Sequence, residues 1–290
     1  MDPQVFLLTG SSRGLGRSIA EAVLAAGHQL VATARTPAQL DDLVARYGDQ
    51  VRAVALDVTD PAGAQAAVDA ATSAFGRLDV LVNNAGYADL AAVEDVTLDA
   101  FRAQIDTNLL GVVYLTKAAL PVMREQGGGH IIQVSSVGGR MATPGLGAYQ
   151  AAKWAVGGFS EVLAAEVAPL GVKVTVLEPG GMRTDWAGSS MNIPPVSAPY
   201  APTVGVSAER MKGFAESSAS DPDKVAEAVL AVAALEEPPV RLLIGSDAYN
   251  YGRAAWERRL ATDAEWEALS TSTDHADATP EQLDPLSARP

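Results

Sequence analysis

Tyr149 and Lys153 stand four residues apart, and on a helix residues i and i+4 share a face. A phenol beside an ammonium can give or take a proton, because the positive charge favours the phenolate and lowers a pKa otherwise of about 10. Ser136 lies thirteen residues before Tyr149, after Ser135 at the end of an apolar run. A hydroxyl there can hydrogen-bond a developing negative charge on oxygen. The Tyr/Lys pair alone is a weak signal, since a chain with seven tyrosines meets that spacing by chance about one time in ten.

Two further motifs sit where a phosphate-bearing ligand would be held. Thr9-Gly10-Ser11-Ser12-Arg13-Gly14-Leu15-Gly16 follows the first apolar run and opens a helical stretch. Glycines there permit a tight turn and close backbone approach to a pyrophosphate at a helix N-terminus. The spacing is G-x3-G-x-G rather than G-x-G-x-x-G, so on this motif alone an ordinary glycine-rich turn remains the alternative. Asn83-Asn84-Ala85-Gly86 ends the fourth apolar run. Amides and a glycine at a strand's carboxyl end can hold both backbone and a cofactor; a plain Asn/Gly turn is the alternative.

The elements that must position these residues follow a strand–helix rhythm. Apolar runs at 5–9, 29–33, 51–56, 79–82, 130–134, 172–177 and 240–244 read as strands. Helical patterns fall at 15–26, 37–46, within 61–75, at 98–126 with a bend expected near Pro121, and at 149–169 and 223–235. Seven continuous apolar strands alternating with helices predict an α/β fold with a parallel sheet covered on both faces. Residues 1–269 read as a single domain. Within it, 182–220 form a long Pro-, Gly-, Ser- and Met-containing lid, and 246–269 form amphipathic helices at the domain edge. Residues 270–290 are polar and aperiodic and are expected to be disordered.

Composition narrows the function classes. The chain has 290 residues, no cysteine, three histidines and a net charge of −14. That excludes disulfides, thiol catalysis, iron–sulfur clusters and Cys-ligated zinc, and it argues against a His-based metal site. An acidic chain repels a phosphate backbone, so no nucleic-acid partner is expected. No apolar run reaches membrane-spanning length, and Met1-Asp2-Pro3-Gln4 lacks a basic leader. The expectation is a cytoplasmic globular protein.

In order and spacing, the T-G-x3-G-x-G loop, N-N-A-G, the serine ending the fifth strand and Y-x3-K resemble the short-chain dehydrogenase/reductase family in its compact single-domain branch, over residues 4–244. The resemblance implies a Rossmann-like, doubly wound sheet and a nicotinamide dinucleotide cofactor. It places Gly10, Ser12, Arg13, Gly14, Leu15 and Gly16 on the cofactor, with Asn84, Ala85 and Gly86 beside it. Asp57 and Val58 would lie by the adenine, and Pro179, Gly180 and Thr184 would flank the nicotinamide carboxamide. Asn108 would complete a catalytic tetrad with Ser136, Tyr149 and Lys153, holding a water in a proton relay, while Lys153 also binds the nicotinamide ribose. Reducing a carbonyl by hydride requires a proton for the developing alkoxide, which Tyr149 can supply as general acid and retrieve as base.

NAD-using dinucleotide folds carry an Asp or Glu at the end of strand two to bond the adenosine ribose 2′-OH. Here the strand ends Thr33-Ala34-Arg35. Ala34 stands where the family's NAD enzymes keep that acid, and Arg35 and Arg13 can pair with a 2′-phosphate. The expected cofactor is therefore NADP(H), with two merely solvated arginines as the alternative. The expected activity is interconversion of a ketone or aldehyde and an alcohol. A non-catalytic NADP(H)-binding redox sensor on the same fold is the other reading. A nucleotide-sugar epimerase or dehydratase fits less well, because only about 45 residues follow Ile244.

The lid's Met182, Trp186, Met191, Met211 and Phe214, facing Gly138, Gly139, Met141 and Leu146, suit a small hydrophobic carbonyl or alcohol. A homodimer through the long helices after strands four and five is expected, with a tetramer as the other possibility. Ser135 reads as a structural strand-end hydroxyl, Lys117 as a solvated charge, His130 as a turn residue and Trp154 as packing in the core or a subunit contact. Glu178 receives no role.

Overall fold

The structure, a computed structural model, describes residues 3–184 and 191–286. Seven strands form one parallel sheet: β1 (Val5–Leu8), β2 (Gln29–Ala34), β3 (Val51–Ala55), β4 (Val80–Asn83), β5 (Gly129–Val134), β6 (Val172–Pro179) and β7 (Arg241–Ile244). Their spatial order is β3-β2-β1-β4-β5-β6-β7, and every neighbouring pair runs parallel. This is the parallel sheet that the alternation predicts, in the Rossmann-like, doubly wound form that the resemblance implies. The chain order reverses between β1 and β4, and at such a switch point a crevice opens beyond the carboxyl ends of the strands.

Helices cover both faces. α1 (Gly14–Ala25), α2 (Asp41–Tyr47) and α7 (Pro222–Ala233) pack on one face through Ile19, Val23, Leu43, Val225 and Val229, against Phe6 and Leu8. α3 (Pro61–Phe75), α5 (Gly111–Glu125) and α6 (Gly147–Val167) cover the other through Val68, Leu115, Met123 and Leu163, against Val5 and Leu7. The alternation of β1 residues between the two layers is the period of two that a pleated strand imposes, and it explains why the run is apolar throughout. Caps fix the helix starts: Asp60 accepts from Ala62 N ahead of α3, and Asp221 accepts from Asp223 N ahead of α7, each with proline at the first helical position.

Several elements differ from the sequence expectation. The long helical stretch is α4 (Leu98–Ile105), a widened π turn at Asp106–Leu110, and then α5. The irregularity thus lies at the π turn, while Pro121 sits inside α5. The described part of the lid is not irregular throughout. Met191–Asn192 pairs with Ala88–Asp89, and Val206–Met211 and Phe214–Ser217 are helical.

The C-terminal helix α8 (Ser246–Glu265) buries Ala248, Gly252 and Ala255, whereas Trp256, Leu260 and Trp266 are exposed. Small residues, not the large apolar ones, face the domain, because the helix lies close against β7. The tail to 286 is exposed apart from Ala278. It carries one helical turn, Pro280–Leu283, closed by a Thr279/Gln282 capping box. No helix among the described residues is long and apolar enough to cross a membrane.

His130 is not a turn residue. It is buried in β5, with Nε2 3.0 Å from Thr175 Oγ1. Burial, helped by the charge of Lys173, pushes its pKa down from 6.5 to about 4. Between these values the unfolded chain binds a proton that the folded chain refuses, so stability is lost as pH falls. His130 alone should remove about 2 kcal/mol between pH 7 and pH 5. Urea unfolding of His130→Gln should show a smaller loss over that interval than the wild type; equal losses would contradict the assignment.

Candidate active site

One cleft of about 1000 Å³ runs along the carboxyl ends of the strands. Gly10, Ser12, Arg13, Gly14, Leu15 and Gly16 line one end, with Arg35, Asp57 and Val58 beside them. Asn84, Ala85 and Gly86 lie along it, followed by Ser136, Tyr149 and Lys153, with Pro179, Gly180 and Thr184 on the far side. Asn108 is the exception; it is fully buried and outside the lining.

The glycine loop is held by β4. Asn84 Nδ2 donates to the Thr9 and Gly10 carbonyls at 3.0 and 3.2 Å. Thr9 Oγ1 accepts from Asn84 N and Ala85 N, both at 2.9 Å. Gly10 has φ +70°, and a Cβ on Gly16 would stand 2.0 Å from the Gly10 oxygen and 2.5 Å from Asn84 Nδ2. The loop therefore packs as backbone on backbone. α1 begins at Gly14 with no side-chain cap and no acidic residue in its first turn, so its N–H groups and positive dipole end suit an anion. These features fit a dinucleotide pyrophosphate.

Asn83, the other amide, is buried and donates to Gln133 Oε1 at 2.9 Å. At the rim, Asp57 accepts from Thr59 N at 3.0 Å and Thr59 Oγ1 at 2.7 Å. Those bonds, with the charge of Arg35, hold its carboxyl below the ordinary range. Arg13 and Arg35 are exposed, and Ala34 is buried.

Ser136 Oγ accepts from Gly138 N at 3.0 Å and is hydrogen-bonded with Tyr149. Tyr149 and Lys153 are both buried. Lys153 Nζ donates to Val134 O at 2.9 Å and lies 5.7 Å from the centre of the Tyr149 ring. Burial pushes the phenol up to about 12 against the opposing pull of the Ser136 hydrogen bond, and burial draws Lys153 down to about 8. The expected lowering of the tyrosine by the lysine is therefore reversed in the protein alone. Desolvation disfavours both charged forms, so Tyr149 stays protonated near neutral pH.

Asn108 lies in the π turn. Its Nδ2 donates to Tyr87 O and Gln104 O, each at 2.9 Å, and its Oδ1 accepts from Tyr87 N at 3.1 Å. The amide thus ties the segment after β4 to α4. Ser135 Oγ donates to Lys153 O at 3.3 Å. Lys117 is exposed.

On the substrate side, Met141, Leu146, Met182, Met191, Met211 and Phe214 line the cleft together with Gly138. Gly139 does not; it turns toward α6, where a Cβ would meet Lys153 O at 2.9 Å. Trp186 lies outside the described residues. Tyr149 packs in one cluster with Leu90, Leu146, Val204 and Ala208, so the lid and the phenol share a wall.

Tyr87, Asp89, Gln150, Asp247 and Tyr251 also line the cleft and were not singled out from the sequence. Asp247 Oδ2 accepts from Gly181 N at 2.8 Å, bracing the loop after β6 from α8. Its position three residues beyond β7, at the carboxyl edge, was the available signal. Among the described residues no group of three or more His, Cys, Asp or Glu is placed to hold a metal ion.

A model of the short chain dehydrogenase family matches residues 4–192. The chain is 55% identical over 271 residues to oxidoreductase BOA17 of Botryotinia fuckeliana, covering 93% of this chain and 99% of that protein. A solved short-chain dehydrogenase from Streptomyces avermitilis superposes with a TM-score of 0.89 at 39% identity, over 94% of this chain and 99% of that one. The 3-ketoacyl-(acyl-carrier-protein) reductase of Brucella melitensis, complexed with NADH, does so at 0.72 and 29%, over 83% and 96%.

The close packing at Gly16 is directly testable. Gly16→Ala should force the loop apart and weaken dinucleotide binding about tenfold or more, read by NADPH fluorescence titration. Gly158→Ala, where nothing lies within 4 Å of the added Cβ, should leave binding unchanged.

Proposed function

The chain belongs to the short-chain dehydrogenase/reductase family, and on that premise we propose that it is an NADP(H)-dependent oxidoreductase interconverting a ketone or aldehyde and an alcohol, with Tyr149 as general acid and base. The observation that carries this reading is the convergence of half-buried Ser136 with buried Tyr149 and Lys153 in the same cleft as the glycine loop.

The glycine loop and the N-terminus of α1 would hold the pyrophosphate, and Pro179, Gly180 and Thr184 the nicotinamide end. A bound nicotinamide dinucleotide supplies or accepts the hydride. The protein's own groups handle the proton and the charge. Ser136 Oγ, fixed by Gly138 N, hydrogen-bonds the carbonyl oxygen and stabilises its developing charge. Tyr149, neutral near pH 7 through burial, gives its proton to that oxygen. Lys153, anchored on Val134 O, stabilises the phenolate that remains and is placed to reach the cofactor ribose. Asn108 fixes the segment after β4 beside them. The methionines and Phe214 exclude water and favour a hydrophobic substrate.

A non-catalytic sensor would not require the complete Asn108, Ser136, Tyr149 and Lys153 set. Exposed Leu98 on α4 and Val162 on α6 support a homodimer through these helices, which light scattering would test.

Tyr149→Phe keeps the ring and removes the proton. Its turnover on a carbonyl panel should fall about 10²–10⁴-fold with NADPH affinity retained; near-wild-type turnover would refute the acid–base role. The cofactor choice rests on Ala34, Arg35 and Arg13. NADPH should be preferred over NADH about tenfold or more in kcat/KM, and Ala34→Asp with Arg35→Ala should move the preference toward NADH. Equal efficiency with both cofactors in the unmodified enzyme would contradict the assignment.

A further inference from the structure

We propose that Arg259, on α8, is a positioning residue for Ser136: it clamps the turn that carries the serine onto α6 and so sets the Ser136–Tyr149 contact. The proposal rests on the acid–base reading above and adds the C-terminal helix to it.

The turn after β5 runs from Ser136 through Gly138 and Gly139 to Arg140, closed by Gly139 N on Ser136 O and Arg140 N on Val137 O. Arg259 Nη1 donates to the Arg140 carbonyl at 2.9 Å. Its guanidinium lies 4.4 Å from the Trp154 ring centre and 5.3 Å from that of Trp256. Trp154 is the residue after Lys153, so one planar cation from α8 holds the end of the serine turn and stacks on α6 beside the lysine. A stacked, forked donor is what arginine supplies and lysine does not.

Beneath the turn lies Glu178, which is fully buried. Its Oε2 accepts from Arg140 Nε at 2.6 Å, and its Oε1 pairs with Arg241. Arg241 in turn reaches Glu161 on α6 at 2.8 Å. A buried carboxylate between two guanidiniums has little freedom to move, since a broken pair would strand a charge. Arg140 is thus gripped by its side chain from β6 and by its carbonyl from α8. With Gly139 packed on Lys153 O, the serine turn and α6 are held in one register.

The Ser136 hydrogen bond lowers the pKa of Tyr149, so a loosened turn should raise it. In alcohol oxidation, Arg259→Ala should move the Tyr149-dependent limb of the pH profile upward by about half a unit to one unit. It should also lower kcat about tenfold, with NADPH affinity by fluorescence and the thermal midpoint close to wild type. Arg259→Lys, which keeps a donor for the Arg140 carbonyl, should recover part of both, and Arg258→Ala, at an exposed neighbour, should leave both at wild type. A profile and kcat for Arg259→Ala that superpose on wild type would overturn the proposal. So would a kcat loss that tracks affinity and thermal midpoint while the limb stays in place. If Tyr149→Phe leaves the wild-type limb intact, the acid–base reading fails, and the positioning role with it.

Discussion

A phenol and an amine are buried side by side at the carboxyl edge of a parallel sheet, and the rest of the site is arranged around the cost of desolvating them. Burial works against the phenolate of Tyr149 and the ammonium of Lys153 alike. Val134 O gives Lys153 a partner, and Ser136 gives Tyr149 one. What remains is a neutral phenol beside an amine whose basicity burial has lowered.

That arrangement requires three strand ends to be held together, and each is tied by short, directional bonds. Asn84 binds the β4 exit to the glycine loop. Asn108 binds the segment beyond it to α4 through a π turn. The turn after β5 docks on α6 through Ser135 and Gly139. The π turn is a local departure from regular helix of the kind that often marks a functional position, and here it turns an asparagine amide inward to meet backbone.

The strand–helix alternation, the glycine loop and the Tyr/Lys pair were legible because each is local. Continuous apolar runs specify doubly covered strands, and the carboxyl-edge rule carries every motif that ends a strand to one cleft. What escaped the reading is made of partners far apart in sequence. Glu178 pairs with residues 38 and 63 positions away, and Gly181 bonds Asp247 66 positions on. His130 followed three glycines and read as a turn, yet tertiary packing buried it in β5. The amphipathic pattern at 246–269 did not say which residues of α8 face the domain. The helix approaches β7 closely enough that only alanine and glycine fit, which turns Trp256 outward to stack with Arg259.

Tyr149 is a buried phenol whose ionisation the site governs, and ultraviolet difference titration of tyrosinate reads this without turnover. Wild type and Tyr149→Phe would be compared with and without saturating NADP⁺. One Tyr149-dependent ionisation should lie above the ordinary value of about 10 in the protein alone and move to lower pH when the oxidised cofactor binds. A Tyr149-dependent ionisation near 10 that NADP⁺ does not move would contradict it.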